Sequence, residues 1–156
     1  MIVWFVPVSA PGFDNTFNRL VATLTGGQFI HCEVELDLTE EEADLHIGSP
    51  RARFSSIWGK PVEVIPTTAP PGWVGIEFKG AETPECVEYA FSREGSPYDK
   101  AAALACPWAD QSGSGTCCSL LSIHILRLSN LQIRLQHGSP NDLYKEISKL
   151  KRLSRA

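Results

Sequence analysis

The chain is 156 residues long, 43% hydrophobic and 21% charged, the size and composition of one globular domain, which sets aside disorder, collagen-like repeats and coiled coil. Its 14 basic and 18 acidic residues give a formal charge of −4, so no overall positive field exists to hold a nucleic-acid backbone. The longest apolar runs, Met1 to Val8 and Leu120 to Ile125, fall well short of the roughly 20 residues that cross a bilayer.

Ile2 to Val6 is a β-rich apolar run closed by Pro7 and Pro11-Gly12, and it reads as a buried first strand; it lacks the basic start and small-residue cleavage site of a secretory signal. Asp14 is the expected N-cap of a first helix, since Phe17, Leu20, Val21 and Leu24 recur on one helix face before Gly26-Gly27. From Phe29 the period becomes two: Phe29, His31, Glu33 and Glu35 share one face, and Ile30, Cys32, Val34 and Leu36 the other. An acidic turn, Thr39 to Glu42, is followed by strand-like pieces at Leu45-His46-Ile47, Pro61 to Ile65 and Val74 to Phe78, punctuated by proline and glycine as in an antiparallel sheet. Thr83-Pro84 caps a helix with the apolar stripe Cys86, Val87, Ala90 and Phe91. Residues 95–115 read as mostly irregular. Cys117 to Leu128 reads as a helix apolar nearly all round, which belongs in the middle of the fold against the sheet. Ser139-Pro140-Asn141-Asp142 is a capping box opening a last amphipathic helix that ends in a basic tail, Lys149 to Arg155.

The chemistry concentrates where the central helix begins, at Ser112-Gly113-Ser114-Gly115-Thr116-Cys117-Cys118-Ser119. A cysteine at a helix N-terminus meets unpaired amides and the positive end of the helix dipole, both of which stabilise a thiolate. The same amides can hold the oxyanion that forms when a carbonyl is attacked. Such a nucleophile needs an imidazole and a group to orient it. His31, on the polar face of its strand, is the best imidazole, and Glu33 points the same way. The alternative for both is ordinary: a cysteine in an apolar helix as a small core residue, and a strand histidine as a satisfied structural one.

Four segments, Phe29 to Leu36, Ile47-Gly48-Ser49-Pro50-Arg51, Gly95-Ser96-Pro97-Tyr98-Asp99 and Thr116-Cys117-Cys118-Ser119-Leu120-Leu121, occur in an order that resembles the circularly permuted papain-like cysteine hydrolases of the NlpC type. That superfamily has bacterial, phage and large-virus members and distant relatives similar to lecithin retinol acyltransferase. The resemblance implies an α+β fold of papain-like, permuted topology, a single domain over residues 1–156 with an antiparallel sheet packed on the cysteine helix. It implies Cys118 as nucleophile, because Ser119 follows it as in the family's Cys-Ser pair, His31 as general base, and Glu33 as orienting group, with His46 the nearest alternative for that third place. Cys117, Thr116, Ser119 and Tyr98 would line the substrate or oxyanion site, and Tyr98-Asp99 would pin the loop before the nucleophile. Leu120 stands where relatives often carry an acidic residue. No cofactor is needed. The substrate is expected to be a peptide or a lipid acyl group, and the alternative function is an inactive papain-like binding or virion-associated structural protein.

The other groups carry less. Five cysteines, an odd number, argue for reduced thiols in a cytoplasmic setting, either host cytoplasm or virion for a viral protein. Cys106, Cys117 and Cys118 have poor spacing for zinc, so no metal is expected. Gly113-Ser114-Gly115 lacks the lysine of a phosphate-binding loop and reads as an active-site lip. His124 and His137 carry no signal, the basic tail is weighed as a peripheral membrane contact against a solvated helix end, and Trp73 as a substrate-rim contact against a packed loop residue.

Overall fold

A computed structural model describes residues 1–66, 69–105, 116–131 and 133–153, and of Phe17, Ala102, Leu104 and Ala105 the backbone alone. Cys106, the Gly113-Ser114-Gly115 lip and the end of the basic tail lie outside the described residues. The elements run β1 (Ile2–Pro7), α1 (Thr16–Leu24), β2 (Phe29–Asp37), α2 (Glu40–His46), β3 (Arg51–Ser55), β4 (Glu63–Ile65), β5 (Val74–Glu77), α3 (Pro84–Ser92), α4 (Lys100–Ala105), α5 (Cys118–Leu128) and α6 (Pro140–Leu153). The five strands form one antiparallel sheet in the order β4-β3-β2-β1-β5, giving an α+β architecture. No helix among the described residues is long and apolar enough to cross a membrane.

One face of the sheet, with Val3, Phe5, Cys32, Val34, Leu36, Ala52 and Phe54, packs on Leu121, Ile123, Ile125 and Leu126 of α5, while α3 and α6 add Val87, Ala90, Leu143 and Ile147. The expected central helix is therefore present, and eight of its eleven residues are buried. Hydroxyl and amide caps start four of the other helices: Asn15 for α1, Thr39 for α2 and Thr83 for α3, while Ser139 and Asp142 cap α6 reciprocally. At α5 the N-cap is Cys117, whose side chain makes no capping bond.

Several local expectations change. Asp14 is not the α1 cap; it pairs with Arg19, and Asn15 accepts from the Asn18 amide at 2.9 Å. The segment expected as a strand at Leu45-His46-Ile47 is the end of α2, because Thr39 and Glu42 form a capping box that starts a helix inside the acidic turn. The strand in that part of the chain is β3, five residues later. Residues 100–105, expected irregular, form α4. Finally, Leu20 and Leu24, expected on the buried stripe of α1, are 55% and 65% exposed.

The alternation expected for β2 breaks at its start. Val6 lies opposite His31 but Pro7 opposite Phe29, so Ile30 is an extra residue, a β-bulge. The bulge turns Phe29 into the core against Phe5 and Tyr144 while His31 and Glu33 keep the other face. Pro7 has no N–H for its partner strand, and the Asn141 side chain substitutes: Nδ2 donates to the Phe29 carbonyl (2.8 Å) and Oδ1 accepts from the Phe29 amide (2.9 Å). Gly27 leaves room for this, since a Cβ there would stand 2.2 Å from Asn141 Oδ1.

Candidate active site

β2 carries His31 and Glu33 two residues apart on one face, and the imidazole Nε2 meets Glu33 Oε1 at 2.8 Å. Glu33 is only 1% exposed, and a buried carboxylate must be paired. Neighbouring β3 supplies both further partners: Arg53 Nη1 donates to Oε2 at 2.7 Å and Ser55 Oγ donates to Oε1 at 2.5 Å. Burial alone would push the Glu33 carboxyl up, but His31, Ser55 and Arg53 together hold it below the ordinary value, so it is an anion.

Nε2 is engaged by Glu33, and the Cys118 sulfur lies near enough to the His31 side chain for each group to shift the other's protonation. Sequence-distant groups thus meet because β2 packs directly on α5. Burial tends to lower the basicity of His31, yet the Cys118 sulfur and the Glu33 carboxylate outweigh it and raise the imidazole to about 10. Cys118 differs from expectation. Instead of the stabilised thiolate that a helix N-terminus suggests, its thiol is raised well above the ordinary value, first by the Cys32 side chain and then by burial, against the pull of His31. Cys32, on the core face of β2, is the residue sequence reasoning did not connect to the site. The two groups share their protons, so the dyad titrates as a unit.

The remaining expected residues surround this dyad. Cys118, 9% exposed, opens α5, where Leu121 N–H donates to the Cys117 carbonyl at 2.9 Å. The amides of Cys118, Ser119 and Leu120 lie in the first turn of α5, ahead of that bond. Tyr98 and Thr116 form an isolated parallel bridge, with the Asp99 amide donating to the Thr116 carbonyl at 2.9 Å, so the Tyr98-Asp99 segment holds the residues just before Cys118. Thr116 Oγ1 donates to the Cys117 carbonyl, and the Cys117 sulfur lies 3.6 Å from Ser119 Oγ. His46, the alternative third residue, instead stacks on Phe91 with ring centres 3.8 Å apart, and His124 takes a bond with the Tyr89 hydroxyl; neither meets His31. Trp73 is a packed residue beside the site, edge-on to His31 and under the Arg53 guanidinium.

His31, Cys117, Cys118, Ser119 and Tyr98 open onto a cavity of about 460 Å³ whose other walls include Phe13, Val21, Leu24, Ile30, Ile57, Trp58 and Pro140. Among its described lining there is no Asp, Glu, Lys or Arg. The exposure of Leu24 is explained here, since it forms one wall with Val21. Among the described residues no group of three or more histidine, cysteine or acidic side chains could hold a metal. The strand pattern Arg51-x-Arg53-x-Ser55 is the signal that would have exposed the partners of Glu33. No family model, curated protein or solved structure matches this chain.

Proposed function

We propose that this chain is a cysteine hydrolase or acyltransferase of permuted papain-like topology that works through an acyl-enzyme on Cys118. The observation that carries the reading is the His31 ring held by Glu33, with His31 and the Cys118 sulfur together at the wall of a cavity large enough for a ligand. The reactive form is the pair after it has lost one of its two protons to solvent: His31 keeps the remaining proton as imidazolium while the Cys118 sulfur, as thiolate, attacks an ester, thioester or amide carbonyl. The α5 first-turn amides receive the oxyanion. His31 then returns the proton to the leaving group, and water or an acceptor alcohol or amine, deprotonated by His31, releases the acyl group.

The walls favour one substrate class. Charged cell-wall peptides need counter-ions, and the described lining offers none, whereas an aliphatic acyl chain suits Phe13, Val21, Leu24, Ile30 and Ile57. The test is incubation with acyl thioesters and esters of graded chain length beside γ-glutamyl-diamino acid peptides, with intact-mass detection of an acyl adduct. Adduct on wild type and its absence in Cys118→Ala support the reading; no adduct and no turnover with either class refute it. The raised Cys118 thiol and Leu120 in place of an acidic residue favour a second reading, an inactive papain-like binding or structural protein, for which the same cavity would bind apolar acyl ligands without turnover.

A further inference from the structure

The charged face of the sheet continues past the dyad. Arg53 is buried, its guanidinium bonded to Glu33 and stacked against Trp73 with its carbon 5.2 Å from the ring centre. Ser55 is buried as well and grips the same carboxylate oxygen that His31 uses. We infer that Arg53 and Ser55 are positioning residues for His31, acting through the Glu33 carboxylate that all three side chains hold. This extends the proposed function to two residues that never touch substrate, and it rests on that reading only for the meaning of the base, not for the geometry.

The reasoning is one of charge sharing. An unshared buried carboxylate 2.8 Å from an imidazole would bind the imidazolium so strongly that the ring could not give its proton back. Arg53 places a permanent cation on Oε2 and Ser55 a donor on Oε1, so both oxygens are occupied and only part of the negative charge acts on His31. With Arg53 present the Arg53–Glu33 pair is neutral overall, so the imidazolium is held less tightly than it would be beside a lone carboxylate. Trp73 covers both the guanidinium and the ring edge, limiting water that would weaken the effect. The groups facing His31 are Glu33 from its own strand, Cys118 from α5 and the Trp73 ring, so a change at β3 reaches it through Glu33.

The experiment follows the His31 imidazole by nitrogen-15 NMR from pH 5 to 11 in the full chain, alongside the rate of Cys118 carbamidomethylation. Neither readout requires a substrate, so failure of this inference and failure of the proposed acyl chemistry are distinguishable. Arg53→Gln is expected to raise the His31 midpoint by about one unit, Arg53→Lys to return it toward wild type, and Ser55→Ala to raise it by a smaller amount. Because Arg53→Gln leaves a buried carboxylate short of a partner and can fail to fold, Ser55→Ala, which changes no charge, provides an independent reading. Midpoints unchanged or lowered in folded Ser55→Ala and Arg53→Gln overturn the inference, since a purely architectural role would leave the titration where it was.

Discussion

Asn141→Leu removes the side chain that completes hydrogen bonding at the β2 bulge while filling a similar volume, so water is not readily admitted. Three bonds disappear: Phe29 N–H to Oδ1, and Nδ2 to the Phe29 carbonyl and to Thr25 Oγ1. Thr25 Oγ1 still donates to the Val21 carbonyl, so it keeps a partner. The Phe29 amide and carbonyl, opposite a proline and inside the core, lose theirs. Two orphaned groups at 1–3 kcal/mol each give about 2–6 kcal/mol, with a midpoint of about 4. For a domain of this length that lowers the melting temperature by about 8–16 °C, a large share of a typical stability. Urea and thermal unfolding followed by circular dichroism measure it. A loss under about 1 kcal/mol with an unchanged denaturant slope would mean that the strand does not depend on this amide, and that Pro7 is not the reason it is there.

Iodoacetamide labelling should single out Cys118 over its cavity neighbour Cys117: Cys118→Ala should abolish it and Cys117→Ala should not, with a midpoint above the ~8.5 of a free thiol, and Cys32→Ala should move that midpoint down; equal labelling of Cys117→Ala and Cys118→Ala refutes the assignment. Stability should fall between about pH 6.5 and 10, because His31 binds its proton more tightly when folded and Cys118 resists losing its own; a flat urea midpoint between pH 6 and 9.5, or a slope between about pH 6.5 and 8, below the ordinary range of the thiol, that survives in His31→Gln, contradicts this. Gly75→Ala on β5 should cost about 1–3 kcal/mol, since its Cβ would stand 2.6 Å from the Trp4 ring, whose Nε1 donates to Glu35; unfolding within 0.5 kcal/mol of wild type would show that the ring shifts freely.

The period-two run of β2, the capped helices α3 and α6 and the all-apolar α5 could be read from the sequence because each is dictated by local pattern. Leu45-His46-Ile47 misled because three apolar-flanked residues carry no period of their own, while the deciding signal, Thr39 with Glu42, lay upstream in what looked like a turn. The bulge at Ile30 escaped because it depends on Pro7, far away in sequence but opposite in space. At the site, His31, Glu33 and Cys118 were legible as residue types in telling positions. Arg53, Ser55 and Cys32 were not, since what gives them meaning is register across β2 and β3 and the packing of β2 on α5.

Most helices here begin under a hydroxyl, carboxylate or amide that fills the gap left by the first amides. The central one begins under a cysteine whose side chain declines that task. A serine or aspartate in place of Cys117 would be expected to tighten that end by about 1 kcal/mol, and it would do so by occupying the donors that an arriving carbonyl oxygen must find vacant. Under the proposed function, a firmer helix end and an open oxyanion site therefore pull this one position in opposite directions.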